Sequence, residues 1–451
     1  MVMEKSAWEK IIRYLRIRDK ERTDILDDLL PQDLAEQIYR LSKEETIEVF
    51  SLLNNEEAAL ILGEMELEES AKAVALLSPK IAADMLSEMP YDDMTDLLGE
   101  LDDDIAEGII SYMQKDDQEE VKGLLEYPKD SAGGIMTTEF ISFKETITVK
   151  EAITKLREVA PSAETVYYLY TVDENDKLAG VVSLRELIVS QDEEVLSEIM
   201  RTTVLSVQAN TDQEEVAHLV QKYNFLAVPV VDEGNKLLGI ITVDDVMDVI
   251  EEETTEDILH LVGASEVEGS SLIDATVVSI AKTRLPWLII CLLGGLFSGS
   301  IISFFEETID AVVALAFFMP VIMDMGGNVG AQSSTVFVRG VATGEIPESV
   351  MFKYFFKEIK VGILMGIICG ITVSIAATLW QGSPLLGFVV GISMVCTVIL
   401  ATTIGTIIPI FFTKRGIDPA VTAGPFVTTI KDVTGLMIYF YIATIFMDKL
   451  M

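Results

Sequence analysis

The sequence predicts a multidomain protein with an all-α superhelical N-terminal domain, a tandem pair of α+β modules, a connecting helix and an α-helical membrane domain of five spans. Three observations predict this fold: helical periodicity at the start of the chain, an internal repeat in the middle and five long apolar stretches at the end. We expect domain boundaries at 1–130, 131–250, 251–278 and 279–451. A chain of 451 residues suits several domains, because one hydrophobic core rarely grows past about 250–300 residues.

The N-terminal region has the apolar spacing of amphipathic helices. Between residues 7 and 127, Leu, Ile, Ala and Met recur every three or four positions, with short polar or proline breaks at Pro31, Pro79 and Pro90. Leu34-Ala35 in an early pattern is similar to Ile81-Ala82 in a later one. This similarity predicts stacked helix hairpins that form a small superhelix.

The central region contains an internal repeat. Residues 173–186 align with residues 232–245 at an offset of 59, and each segment predicts strand, turn, strand and a helix capped by Ser183 or Thr242. The repeat resembles a tandem pair of CBS modules over residues 135–255. That resemblance implies a possible site for ATP or another adenine nucleotide, although many such pairs bind no nucleotide. Its contact residues would be Arg185, Phe225, Pro229, Thr242 and Asp245.

The charge is distributed very unevenly. The chain has a net charge of −40, and residues 271–451 hold 10 Lys+Arg and 11 Asp+Glu, so residues 1–270 carry −39. Such a surface repels nucleic acid and attracts cations, and we therefore expect no nucleic-acid partner. On composition alone, solubility or adaptation to salt explains the acidity equally well.

Five apolar stretches are each long enough to cross a lipid bilayer of about 30 Å. They cover approximately residues 285–305, 311–338, 361–380, 385–412 and 420–447. Basic residues precede the first stretch and lie between the second and third and between the fourth and fifth, whereas the alternate connections have none. The positive-inside rule then predicts a multi-pass protein of the cell membrane, with its N-terminus in the cytosol and its C-terminus outside.

Two of these stretches contain oxygen-bearing side chains next to helix-breaking residues. Residues 424–435 combine Gly and Pro with Thr428, Thr429 and Asp432, and an intramembrane carboxylate indicates function. The second stretch offers a similar set after Pro320, namely Asp324, Gly326, Gly327 and Asn328. A loosened helix with oxygen ligands and few charges suits a hydrated hard cation. Helix packing is the preferred explanation for Gly362, Gly366 and Gly370, and Lys431 has no explanation at this point.

Carboxylates also cluster in the soluble half. One run follows the second module, and another set lies in the N-terminal domain. The members are Asp245, Asp248, Glu252, Glu253, Glu256 and Asp257 in the run, and Asp92, Asp93 and Asp96 in the N-terminal set. A solvated helix face is the usual explanation for such a run. We favour a metal sensor, because two facing acidic surfaces separate unless divalent cations neutralise them.

The order of domains and three motifs resemble the MgtE family of magnesium channels over essentially the whole chain. The motifs are Gly326-Gly327-Asn328-x-Gly330-x-Gln332-Ser333, Asp418-Pro419-Ala420 and Thr429-x-x-Asp432-Val433-Thr434-Gly435. The resemblance implies a homodimer with one pore at its axis, with Asp432 at the site of hydrated Mg²⁺ and with Asp418 in the ion pathway. It also implies regulatory Mg²⁺ bound by Glu214, Asp245, Asp248, Glu253, Glu256 and Asp257. Asn224 stands where relatives often have an acid, which puts the affinity of the sensor in question.

These observations predict passive, gated Mg²⁺ entry driven by the membrane potential, and no enzyme activity. The sequence contains no P-loop that would indicate an ATPase. One alternative is a transporter for another divalent cation, such as Co²⁺ or Mn²⁺. Another is a membrane-anchored nucleotide sensor whose spans only dimerise.

Overall fold

The computed structural model describes residues 31–38, 41–265, 275–420 and 424–450. The chain divides into two compact units, residues 1–250 and 251–451. The predicted helical residues 7–30 lie outside the described residues.

The N-terminal region of the first unit consists of short helices, as the periodicity predicts. Within the described residues these are α1 (Pro31–Ile38), α2 (Lys43–Leu52), α3 (Asn55–Gly63), α4 (Leu67–Ala75), α5 (Pro79–Leu86), α6 (Tyr91–Glu100), α7 (Asp103–Ile110) and α8 (Lys115–Leu124). Ser42 and Asn54 cap α2 and α3 in reciprocal capping boxes. Helices two apart in sequence pack together, which produces the predicted stacked superhelix. Their apolar faces form one core that includes the fully buried Phe50 and Leu86.

The two central modules have the same topology, which confirms the internal repeat. The first contains β1 (Ser142–Lys144), α9 (Val149–Val159), β2 (Tyr168–Val172), β3 (Leu178–Ser183), α10 (Leu184–Val189) and α11 (Leu196–Ile199); the second contains β4 (Val207–Gln208), α12 (Gln213–Tyr223), β5 (Ala227–Val231) and β6 (Leu237–Thr242). In each sheet the first strand pairs parallel to the second, and the second pairs antiparallel to the third. Asp176 and Asn235 occupy equivalent turns with φ of 61° and 65°, a left-handed conformation that Asp and Asn tolerate better than most residues.

Helix α13 (Val243–Leu261) follows β6 without a break. The predicted connecting helix therefore does not begin as a separate element at residue 251, because residues 251–261 are the second half of α13. Most of the remainder of that predicted segment, residues 266–274, lies outside the described residues.

The second unit is a bundle of long helices. The long helices are α14 (Val277–Phe304), α16 (Met319–Ala342), α17 (Met351–Gln381), α18 (Pro384–Thr413) and α19 (Pro425–Ile445), and two short helices, α15 (Glu306–Ala311) and α20 (Met447–Leu450), follow α14 and α19. Helix α17 packs along α18, α18 also contacts α16 and α19, and α14 packs on α19. Gly362, Gly366 and Gly370 of α17 face α18 so closely that a Cβ atom at any of them would lie within 3.1 Å of an α18 atom. This close contact confirms their packing role.

Four segments of the described chain are long and apolar enough to cross a membrane: Val277–Phe304, Val313–Ala342, Glu348–Gln381 and Pro384–Thr413. The fifth predicted span is helical, since α19 has 21 residues, but it does not reach the same apolarity. Lys431, Asp432 and several threonines lower its hydropathy, so a fifth span stays a prediction.

Candidate ion pathway and regulatory sites

Helix α16 carries a polar stripe along one side. Asp324, Asn328, Gln332, Thr335 and Arg339 recur at helical spacing, and all five are exposed on this chain. The Asn328 amide nitrogen donates to an Asp324 carboxylate oxygen at 3.2 Å. Polar side chains on a membrane helix must meet water or other protein, because lipid cannot satisfy their hydrogen bonds. This stripe is therefore suited to line an aqueous path.

The predicted helix breaks in this region are wrong. Helix α16 runs unbroken through Gly326 and Gly327, with Pro320 in its first turn, and α19 runs unbroken from Pro425 through Gly435. A proline in the first turn removes no helical hydrogen bond. Packing compensates for the glycines, because Cβ atoms at Gly326 and Gly435 would lie 3.2 and 3.1 Å from the same Thr397 methyl group.

Helix α19 carries Thr428, Thr429 and Asp432 of the predicted pathway. Asp432 is half-buried, one residue after the buried Lys431. Thr428 donates to the Gly424 carbonyl at 3.1 Å. The Thr429 side chain packs so tightly on Gly294 of α14 that a Cβ atom at Gly294 would overlap it. Of these side chains, Asp432 alone carries a carboxylate.

Asp418 lies in a different environment from the other predicted pathway residues. One carboxylate oxygen accepts from the Ala420 amide at 2.8 Å, and the other lies 3.5 Å from Nδ1 of His260 near the end of α13. The next residue, Leu261, packs against Val338 and Ala420. A Cβ atom at Gly424 would lie 2.6 Å from the Leu261 carbonyl oxygen. The end of α13 thus lies directly against the segment that leads into α19.

The first unit contains a group of carboxylates with raised pKa values. Burial, followed by the charge of Glu164, raises the pKa of Asp92 to about 7. Desolvation and the charge of Asp92 raise the pKa of Asp245 to about 7. Desolvation and the charges of Asp92 and Asp245 raise the pKa of Asp93 to about 8, although part of its side chain reaches solvent. Asp96 adds negative charge to Asp92 and Asp93. We call Asp92, Asp93, Asp96, Glu164 and Asp245 the acidic cluster.

Sequence reasoning missed Glu164 and the neighbouring Glu139. Both have raised pKa values, caused first by desolvation, and Glu139 accepts from the Tyr91 backbone amide at 3.3 Å. Neither belongs to a charge run or a motif, so no sequence pattern indicated a role for them.

The acidic cluster suits a hydrated divalent cation better than a bare one. Within the described residues, no three His, Cys, Asp or Glu side chains stand close enough to hold a metal ion. Mg²⁺ commonly keeps several waters and uses only one or two carboxylates. A buried Asp92 oxygen also has no hydrogen-bond partner in the described structure. The surplus negative charge and the free acceptor both fit a cation bound through water.

The remaining predicted regulatory residues lie on α12 and α13. Glu214, in the first turn of α12, is 3.7 Å from Nε2 of His218. The others follow one another along α13, where Glu256 lies 3.6 Å from Nε2 of His260; they are Asp248, Glu252, Glu253, Glu256 and Asp257.

A cavity of about 720 Å³ opens in the paired modules. Its lining includes Arg185, Phe225 and Pro229, together with aromatic residues of β2, but not the predicted Thr242 or Asp245. Arg201 also lines it and bonds Glu186 at 3.0 Å. An aromatic wall beside guanidinium groups is suited to a flat base carrying phosphates.

Asp245 instead caps the start of its own helix. Its carboxylate accepts hydrogen bonds from the Thr242 hydroxyl at 2.5 Å and from the Thr242 amide at 3.2 Å. Its equivalent in the first module, Glu186, accepts from the Ser183 hydroxyl at 2.8 Å and from the Ser183 amide at 3.0 Å.

Three family models match the chain in the predicted order. Residues 319–442 match the MgtE divalent cation transporter, residues 29–130 match the MgtE intracellular N domain, and residues 132–192 and 196–252 each match the CBS domain. The magnesium transporter MgtE of Bacillus subtilis is 44% identical over 330 residues, which are 73% of this chain and 72% of the relative. The magnesium transporter MgtE of Thermus thermophilus is 43% identical over 328 residues, again 73% and 72%.

Two solved structures resemble the first part of the chain. A crystal structure of the soluble part of a magnesium transporter has 36% identity and a TM-score of 0.52, covering 55% of this chain and 98% of that one. A crystal structure of the cytosolic domain of the Mg²⁺ channel MgtE in complex with ATP has 38% identity and a TM-score of 0.50, covering 54% and 99%.

Proposed function

Because the chain belongs to the MgtE family of magnesium transporters, we propose that it is a channel for passive Mg²⁺ entry that cytosolic Mg²⁺ closes. A membrane potential of about 100 mV, negative inside, favours entry of a divalent ion by about 4.6 kcal/mol, at 2.3 kcal/mol per charge. Transport in this direction needs no ATP hydrolysis. It needs an ion pathway and a way to close it.

The observation that carries the proposal is the polar stripe of α16 in a bundle of apolar helices. One chain leaves Asp324, Asn328 and Gln332 exposed. A second copy related by a two-fold axis would enclose two such stripes around a common aqueous path, so we propose a homodimer. Asp432 supplies the carboxylate that attracts the hydrated ion, and Thr428 lies one turn before it on α19. Thr429 and the α16 residues Gly326 and Gly327 support the pathway through helix packing, since they lie against Gly294, Thr397 and Lys431.

Closure is proposed to depend on the acidic carboxylates of the first unit and of α13. At neutral pH and without a cation, the acidic cluster holds charge that burial disfavours, as the raised pKa values of Asp92 and Asp245 indicate. A bound Mg²⁺ offsets that charge and favours the conformation in which the carboxylates are close together. A ligand that prefers one conformation shifts the population towards it. ATP is proposed to bind the cavity lined by Arg185 and Phe225.

The decisive measurement is Mg²⁺ uptake into liposomes under an applied membrane potential. We expect Asp432→Ala to abolish uptake, whereas Asp448→Ala, an exposed aspartate in α20, leaves it unchanged. Competition by Co²⁺ or Mn²⁺ measures selectivity. Absence of uptake by the wild-type protein at every Mg²⁺ concentration would refute the transport proposal and favour a nucleotide sensor.

The regulatory part is tested by raising Mg²⁺ on the cytosolic side. We expect wild-type uptake to stop at millimolar Mg²⁺ and uptake by the Asp248→Ala, Asp257→Ala double variant to continue. The matched control is Glu251→Ala, on the same helix but outside the proposed ligand set. Equal inhibition of the double variant and the wild type would contradict the sensor.

A further inference from the structure

Lys431 is the one buried lysine in the described part of the membrane unit, with 2% of its surface exposed. It lies in α19, and the other lysines in the described part of this unit are exposed. Burying an ammonium group is costly unless it is paired or hydrogen-bonded. Its terminal amine donates to the backbone carbonyl of Gly327 in α16. The side chain is therefore held at a defined place between α19 and α16.

The glycines of α16 form a slot for this side chain. A Cβ atom at Gly330 would lie 2.8 Å from Cδ of Lys431, and one at Gly327 would lie 3.9 Å from its Nζ. Gly330 also faces α18, because its Cβ atom would lie 3.5 Å from the Ala401 carbonyl oxygen and a Cβ atom at Gly405 would lie 2.5 Å from the Gly330 carbonyl oxygen. Gly330 thus packs against both Lys431 and α18, and this close packing fixes the place where the lysine lies along α16.

The position of Lys431 determines which way Asp432 points. Consecutive residues on a helix project about 100° apart, so an α19 whose Lys431 enters the α16 slot turns Asp432 away from that slot. The lysine is also a fixed positive charge next to the one carboxylate on this helix. A conducting site has to bind its ion well enough to admit it and weakly enough to release it.

We propose that Lys431 is a positioning residue that also sets the affinity of the ion pathway. Its hydrogen bond to Gly327 orients Asp432 towards the pathway, and its charge weakens binding at Asp432 so that a divalent ion is released instead of trapped. This inference rests on the proposed function, in which Asp432 binds the permeating Mg²⁺.

The test separates the Mg²⁺ concentration that gives half-maximal uptake from the maximal rate, using the full chain in liposomes. We expect Lys431→Met, which keeps most of the side-chain length and removes the charge, to lower the half-maximal concentration at least about fivefold, because an offsetting charge is lost. The maximal rate falls as release slows. We expect Lys431→Arg to stay within about twofold of the wild-type half-maximal concentration, because it keeps the charge.

A second variant tests positioning without altering the charge. Gly330→Ala pushes on Cδ of Lys431, and we expect a lower maximal rate; the control Gly295→Ala, in open space on α14, keeps the wild-type rate. An unchanged half-maximal concentration in Lys431→Met would overturn the proposal, as would equal effects of Met and Arg at position 431. Persistent uptake by Asp432→Ala would instead show that the proposed function itself is wrong.

Discussion

Asp92 offers a direct test of whether the negative charge of the acidic cluster destabilises the folded protein. The side chain is 7% exposed, and burial together with the charge of Glu164 raises its pKa from 3.8 to about 7. Each unit of pKa shift corresponds to 1.36 kcal/mol, so an ionised Asp92 costs the folded state about 4 kcal/mol at most at pH 7. Asn has nearly the same shape and no charge. We therefore expect Asp92→Asn to raise the free energy of unfolding by up to that amount in the absence of Mg²⁺.

The pH dependence gives the sign of the effect. A carboxyl group whose pKa is raised in the folded state destabilises the fold above that pKa, and the penalty disappears as the pH falls towards the unfolded value of 3.8. The difference between wild type and variant is therefore expected to be largest above pH 7 and to shrink between pH 7 and pH 4.

Urea unfolding of a fragment comprising residues 1–265 measures this effect, since the relatives' soluble parts were solved as separate proteins. Added Mg²⁺ is expected to stabilise the wild type more than Asp92→Asn, because binding to the folded state adds to its stability. Asp84→Asn, an exposed aspartate in α5, is the matched control and is expected to change little. An Asp92→Asn fragment less stable than wild type without Mg²⁺ would refute the reasoning.

Two further predictions concern packing and nucleotide binding. Gly405→Ala places a Cβ atom 2.5 Å from the Gly330 carbonyl oxygen, and such overpacking costs about 1–3 kcal/mol. We expect Gly405→Ala to have a lower melting temperature in detergent than the wild type. The control Gly299→Ala, whose added Cβ atom meets open space, is expected to melt close to the wild type. Equal melting temperatures of the two variants would contradict the close helix contact. Arg185→Ala is expected to weaken ATP binding, measured by calorimetry, by about tenfold, because one charge-assisted contact is lost. The control Arg157→Ala, at an exposed arginine, is expected to leave the affinity unchanged. Equal ATP affinities of the two variants would place ATP elsewhere or exclude its binding.

Features with a local sequence signal were predicted correctly. The repeat at offset 59 predicted two modules of equal topology, because strand, turn and capping residues lie within one short segment. Gly362, Gly366 and Gly370 were predicted to be packing residues because their spacing places them on one helix face. The breaks expected in α16 and α19 were wrong, since the cost of glycine depends on the helices that pack against it, and the sequence does not reveal those neighbours.

Features that depend on distant parts of the chain were not predictable. Glu164 interacts electrostatically with Asp92 and Asp245, although more than 70 positions of the sequence separate it from either residue. Lys431 was unexplained because its acceptor, the Gly327 carbonyl, is 104 residues away. Backbone acceptors carry no residue-type signal, so such a contact becomes visible only in the folded structure.

The equivalent carboxylates Glu186 and Asp245 show that two modules of the same topology can hold the same group in opposite electrostatic surroundings. Both bond the residue that starts the following helix, Ser183 or Thr242. Arg201 balances the charge of Glu186, whereas the charge of Asp92 opposes that of Asp245. The charge of Glu186 is therefore compensated by a nearby cation, whereas the charge of Asp245 makes its module depend electrostatically on the N-terminal helix α6, which carries Asp92.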